Sequence, residues 1–248
     1  MTAPQLTHRS GRTGRPRWVL VIGLAATFAM VGGPVATPPA AGAIPASPLA
    51  WSTISPPAAP PALAYASAVY DSDNKTMVLF GGEQQDGTLS SDTWVWNGST
   101  WTKQHPAASP PARSGASMAY DAATGNLVLF GGAPQGGSGL LPDTWVWDGT
   151  TWTEQHPATS PSGREYAPMA YDAATGNLVL FGGAGAPGGN DTWVWDGTTW
   201  TEQHPATSPP GRQAASMAYD AATGNLVLFG GWLGIVTGHI FADTWVWG

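Results

Sequence analysis

The chain has 248 residues, 16 of them acidic and nine basic, with 33 glycines, 23 prolines, 14 tryptophans and no cysteine. Zero cysteine excludes disulfides, thiolate metal sites and a cysteine nucleophile, so the fold must be held by its core. The formal net charge of −7 repels phosphate backbones and anionic headgroups, which argues against nucleic acid as a partner.

The first fifty residues differ from the rest. Arg9, Arg12, Arg15 and Arg17 form a basic region, followed by an apolar run from Trp18 to Val31 and then Gly32-Gly33-Pro34. Ala41-Gly42-Ala43 is a small-x-small cleavage candidate. This layout predicts a secretory signal peptide over 1–43, with 44–50 as a linker. The apolar run has 14 residues, short of the ~20 that cross a bilayer as a helix. Membrane attachment follows only if the leader stays uncleaved. No Arg-Arg pair precedes the run, which points to general secretion and an extracellular or cell-surface location. The richness in Ala, Gly and Pro suggests a bacterial source. Loss of the leader leaves Lys75, Lys103, Arg113, Arg164 and Arg212 against 16 acidic residues, a net of −11.

From residue 51 onward the chain repeats. A Tyr-Asp pair recurs at Tyr70, Tyr120, Tyr171 and Tyr219, at spacings of 50, 51 and 48. Met118 to Gly132 returns unchanged as Met169 to Gly183 and as Met217 to Gly231, while the first copy diverges. Each copy reads as four short strands. In the second copy the first strand is Ala116 to Tyr120, closed by the turn Asp121-Ala122-Ala123-Thr124-Gly125-Asn126. Leu127 to Phe130 is unbroken and apolar, as a strand buried on both faces should be. Thr144 to Trp147 is the third strand, Asp148-Gly149 a hairpin turn, and Thr151 to Glu154 an alternating, half-exposed fourth strand. Four-stranded antiparallel units of about 50 residues are propeller blades.

Gly-Gly after the second strand, a Trp opening the fourth and an Arg before the first resemble kelch repeats, with Leu-Val-Leu-Phe-Gly-Gly as the best match. The resemblance covers 51–248 and implies an all-β, kelch-like β-propeller, with blades at about 64–105, 114–156, 165–204 and 213–248. Kelch propellers usually have five to seven blades, whereas this chain has four copies. Trp101, Trp152 and Trp200 each lie twelve positions before the Arg of the next copy, and Trp51 lies twelve before Leu63. That register predicts a closed four-blade ring in which strand 51–54 pairs with Asp243 to Trp247. Loss of whole repeats, or two chains sharing a larger ring, are the alternatives.

Every length difference between copies falls between Gly-Gly and Asp-Thr-Trp, in the loops at 83–91, 133–142, 184–190 and 232–242. In a propeller these share one face, the usual place for a binding surface. The fourth loop is apolar and carries Trp232 and His239. Arg113, Arg164 and Arg212 lead into the strands nearest the axis and are candidates to clamp a carboxylate, against a structural alternative of pairing with Asp or with carbonyls. The candidate ligand residues are therefore Arg113, Arg164, Arg212, Trp232 and His239. His105, His156 and His204 repeat at the rim, too far apart for a metal site. The other tryptophans recur at fixed positions and are expected to pack between blades.

Galactose oxidase and its kin carry kelch propellers with copper, but their Cys-linked Tyr has no counterpart here. No Gly-x-Ser-x-Gly, His-Glu-x-x-His or phosphate loop is present. The expectation is a secreted module that binds a protein or a glycan, without catalytic residues, metal or cofactor, as a monomer or a ring-sharing dimer. The alternative is a carbohydrate-active enzyme built from the same loops.

Overall fold

A computed structural model describes residues 50–137, 139–234 and 238–248. The expected leader over 1–43 and all but residue 50 of the expected linker lie outside the described residues. Among those described, no helix is long and apolar enough to cross a membrane.

Four antiparallel sheets follow one another along the chain. Blade 1 is β1 (Ser67–Asp71), β2 (Thr76–Phe80), β3 (Thr93–Trp96) and β4 (Trp101–Lys103). Blade 2 is β6 (Ser117–Asp121), β7 (Asn126–Phe130), β9 (Thr144–Trp147) and β10 (Trp152–Gln155); a short pair, β5 (Arg113–Ser114) with β8 (Ala133–Pro134), stands beside it. Blade 3 is β11 (Met169–Asp172), β12 (Asn177–Phe181), β13 (Thr192–Trp195) and β14 (Trp200–Gln203). Blade 4 holds three strands, β15 (Ser216–Asp220), β16 (Asn225–Phe229) and β19 (Thr244–Trp247). Its long loop forms a small hairpin of β17 (Trp232–Leu233) and β18 (His239–Ile240).

The strands form where the sequence places them. Asp121 closes the β6–β7 turn: one carboxylate oxygen accepts from the Ala123 amide at 3.0 Å and the other from the Thr124 hydroxyl at 2.9 Å. Gly125, at φ +73°, then returns its amide to the Asp121 carbonyl at 2.8 Å. Leu127, Val128, Leu129 and Phe130 are all buried, as their unbroken apolar run requires.

Blades join through a repeated seam. The Trp152 ring packs edge-on against Phe80 of the preceding blade at 5.3 Å, and its indole Nε1 donates to Thr93 Oγ1 at 2.8 Å. Trp200 does the same to Phe130 at 5.4 Å and to Thr144 Oγ1 at 2.9 Å. Nearer the axis, Ser67 Oγ donates to the Ala116 carbonyl at 2.7 Å and Ser117 Oγ to the Ala167 carbonyl at 2.6 Å. Three core clusters lie at the seams between blades 1 and 2, 2 and 3, and 3 and 4, the last of them the smallest. The conserved-position tryptophans of the repeat are thus packing residues. Burial of an aromatic this size is among the larger single contributions to a core.

The expected closure is absent. Residues 51–54 form no strand, Trp51 is fully exposed, and Ile54 is 61% exposed. The fourth sheet therefore lacks a fourth strand among the described residues. The three seams, two of them packed around a tryptophan, do not turn blade 4 back onto blade 1, and residues 51–54 stay unpaired, away from β19. Phe229, whose counterparts Phe80 and Phe130 are buried at 1% and 0%, is 53% exposed. The four blades form an open arc of propeller.

Candidate functional site

The three arginines lie just ahead of the innermost strands, and their guanidiniums are turned into their own blades. Arg113, Arg164 and Arg212 are each only 1% exposed. Arg113 forms a bidentate pair with Asp143, both bonds at 2.6 Å, and donates to the Gly131 carbonyl at 2.9 Å and the Pro111 carbonyl at 3.0 Å. Arg164 repeats this with Asp191 and Gly182, and Arg212 with Asp243 and Gly230. The carboxylate-clamp reading is corrected accordingly: the Asp of Asp-Thr-Trp is the clamp's occupant, supplied from the same blade. The geometry is of the bidentate, charge-assisted kind.

Electrostatics follow from these pairs. Burial pushes the Asp143 carboxyl up, but the hydrogen bonds and charge of Arg113, with the Trp145 indole, outweigh it and leave the group below its ordinary range. Hydrogen bonds from Arg212 and then from Trp245 hold Asp243 well below that range. Blade 1 lacks the arginine, with Leu63 in its place, and solves the problem differently. Asp92 takes Lys103 at 2.8 Å, where blades 2 and 3 carry Glu154 and Glu202. One lost cation is matched by one reversed charge.

Immediately after the arginine position, the near-identical copies disagree. The residue pairs there are Ala64-Tyr65, Ser114-Gly115, Glu165-Tyr166 and Gln213-Ala214. The first of each pair bridges to the residue that follows Gly-Gly: Ala64 to Glu83, Ser114 to Ala133, Glu165 to Ala184, Gln213 to Trp232. The second lies in the left-handed region in every blade, at φ +58° for Tyr65, +66° for Gly115, +56° for Tyr166 and +52° for Ala214. Only glycine adopts this region freely, so Tyr65, Tyr166 and Ala214 carry strain of about 1–3 kcal/mol each. Consecutive backbone bonds hold them there: Gly115 donates to Tyr65, Tyr166 to Gly115 and Ala214 to Tyr166, at 3.0, 2.9 and 2.8 Å.

These bonds run from blade to blade around the mouth of the arc, on the face that bears the variable loops. Gly115 has a second reason to be glycine. A Cβ there would meet the Tyr166 ring at 2.8 Å. With that space empty, Tyr166 of blade 3 reaches across blade 2 to Tyr65 of blade 1, and the rings meet edge-on at 5.7 Å. Burial, then Glu165, Tyr65 and Glu83, push the Tyr166 phenol above its ordinary range. Two tyrosines and two carboxylates thus converge on one mouth. Beside them a shallow cavity of about 210 Å³ runs between the first two loops, lined by Glu83, Leu89, Ser114, Pro134 and Gln135.

Trp232 and His239 sit in the fourth loop's hairpin at the other end of the mouth. Trp232 is partly buried and pairs through its backbone with Gln213, while His239 is exposed and packs on Phe241 at 4.7 Å. Phe241 in turn lies 4.0 Å from the Arg212 guanidinium carbon, a cation–π contact. The loop's apolar content is therefore spent partly on covering Arg212, with Ile240 left 78% exposed. His105, His156 and His204 are exposed after the outer strands. Among the described residues no group of three His, Asp or Glu side chains is placed to hold a metal.

Sequence reasoning singled out the arginines and missed Tyr65, Glu83, Glu165 and Tyr166. The signal was available: within the stretch from Arg to Gly-Gly, the last three copies differ at the two positions after Arg and at Pro168, where blades 2 and 4 carry Ser117 and Ser216.

Comparison with known proteins agrees with this architecture. A comparison with curated protein sequences gives no match. Among solved structures, the protein described as "Structure of YjhT" superposes with a TM-score of 0.54 at 15% identity. The alignment covers 71% of this chain and 64% of that one, so the chain spans less than two thirds of its length. The KLHDC2/KLHL20/DRC7 kelch-repeats domain matches residues 45–231, most of the four-blade arc. With its strand order, Gly-Gly turns and seam tryptophans in place, the chain belongs to the kelch-repeat family.

Proposed function

We propose that the chain is an exported interaction module whose ligand site is the loop-bearing mouth around Tyr65 and Tyr166. The kelch propeller supplies the rigid frame, one that carries many functions, so the reading rests on the site. The observation that carries the reading is local. Strained backbone is spent on presenting two tyrosines beside Glu83 and Glu165, and Tyr65 is still 37% exposed. Aromatic rings with two carboxylates nearby, Glu83 and Glu165, favour a cationic segment, through charge and cation–π contact. The net charge of −11 without the leader favours the same class, a Lys- or Arg-bearing peptide. Export rests on the leader at 1–43.

The test is a binding screen of the chain against Lys- and Arg-containing peptides and against neutral cell-wall oligosaccharides. Peptide binding that weakens with salt, and about tenfold with Glu165→Gln, supports the reading; tenfold corresponds to ~1.4 kcal/mol. Binding indifferent to Glu165→Gln and Tyr166→Ala overturns it. So does turnover of an oligosaccharide that disappears with Glu165→Gln.

A further inference from the structure

The two ends of the arc are complementary, and we propose that they join in a second copy of this chain. Blade 4's outer face shows the same residues that blades 1 and 2 bury against their successors. Phe229 and Thr244 stand where Phe80 and Thr93, and Phe130 and Thr144, receive a tryptophan. All four of those counterparts are at most 1% exposed, whereas Phe229 is 53% exposed and Thr244 is exposed. Val246 beside them is 62% exposed.

Blade 1 offers the matching face. Met77, Leu79, Trp96 and Trp101 are half-buried, while their counterparts in blade 2, Leu127, Leu129, Trp147 and Trp152, are buried against blade 1. Continuing the established seam, Trp101 of the second copy packs on Phe229 and donates to Thr244. Ser216 donates to the carbonyl of the second copy's Ala66, as Ser67 and Ser117 do to Ala116 and Ala167.

A separate observation selects the occupant. Between blades 3 and 4 a cavity of about 60 Å³ is lined by Phe181, Thr192, Met217, Trp245 and Trp247. Phe181, Thr192 and Trp247 are the counterparts of the three residues that Trp152 touches: Phe80, Thr93 and Trp147. The cavity is a tryptophan seat without its tryptophan. Trp51 stands fully exposed in the register of Trp101, Trp152 and Trp200. In every complete seam the seated tryptophan leads directly into the blade that follows. If blade 1 of a second copy follows blade 4, that copy's Trp51 arrives at this seat and its residues 51–54 pair with the open edge of β19. The contact is heterologous: blade 4 of one copy meets blade 1 and Trp51 of another.

The test is light scattering on the full chain at micromolar concentration, with Phe229→Asp and Trp51→Ala alongside. Phe229 is exposed in the single chain, so the charge leaves each arc folded, and the unchanged circular dichroism of the variant checks this. Wild type is expected to run as an assembly of two or more copies, Phe229→Asp as a monomer, and Trp51→Ala to dissociate at least tenfold more readily. A monomeric wild type overturns the proposal, including one whose Trp51 is protected by its own chain. So does an assembly indifferent to Phe229→Asp.

Discussion

The boundary between blades 2 and 3 and the boundary between blades 3 and 4 are built from nearly the same sequence but are not equally filled. At the first, Trp200 lies between Phe130 and Trp195, 5.4 and 5.3 Å away, and closes its hydrogen bond on Thr144. At the second, Phe181, Thr192 and Trp247 are in place around an apolar cavity. The core cluster there is correspondingly small, with Ala170, Val179 and Leu226 as its fully buried members. The lesson is that a blade is not the unit of stability in this fold. The unit is a seam, and its last part always comes from the chain segment that leads into the following blade.

The sharpest way to break the comparison is at the filled seams. Trp152→Ala is expected to cost about 3–5 kcal/mol, as large aromatic truncations in cores do. By calorimetry that is a fall in Tm of roughly 6–20 °C for a domain this size. Trp101→Ala, whose ring lacks a preceding blade to pack on, is expected to lower the Tm of the monomeric Phe229→Asp background by less than half as much. Equal losses there contradict the seam account.

The arginine pairs give the next contrast. Asp143→Asn strands a guanidinium that is 0% exposed, and breaking a buried pair in this way costs about 3–5 kcal/mol. Asp92→Asn removes only the partner of Lys103, whose side chain is 41% exposed, and is expected to stay within about 1 kcal/mol. Urea midpoints of the two variants check the order.

Acid sharpens the same comparison. The Asp143 carboxyl lies below its ordinary range when folded, so its contribution is complete above about pH 4 and is lost as pH falls through the depressed folded value. The stability gap between wild type and Asp143→Asn is therefore expected to be constant from pH 7 to about 5 and to narrow below about 4. A gap that widens on acidification contradicts the assignment.

A last contrast concerns a single hydroxyl. Thr93→Val leaves the buried Trp152 Nε1 without an acceptor and is expected to cost about 1–3 kcal/mol. In the monomeric Phe229→Asp background, Thr192→Val loses no such bond and is expected to be close to neutral.

Blade composition and strand order were legible in the sequence because near-identical copies expose the repeat and because each strand has an unambiguous pattern. Leu127 to Phe130 is continuous and apolar, Asp148-Gly149 is a turn, and Gly131-Gly132 is a stop. Closure was not legible. The register of Trp51 says which strand it is but carries nothing about the angle each seam imposes, and that angle decides which blade it can reach. The arginines drew attention because charge near an axis suggests a ligand. Their partners, Asp143, Asp191 and Asp243, lie some thirty positions downstream and are brought back only by the sheet. The mouth was missed for the opposite reason. Tyr65 and Tyr166 look like ordinary core aromatics until their positive φ values and the glycine between them show that the rings are turned to one another across a blade.

The chain's lack of cysteine allows a direct test of how the open face of blade 4 is used. Ser117→Cys with Ala167→Cys marks a complete seam, where the two residues already touch. Ser216→Cys with Ala66→Cys marks the corresponding positions at the two ends of the arc. Under mild oxidation the first pair is expected to crosslink within one chain, and the second to give a covalent species of twice the chain's mass on a non-reducing gel. A second pair that crosslinks within a single chain, or does not crosslink at all, would contradict the account.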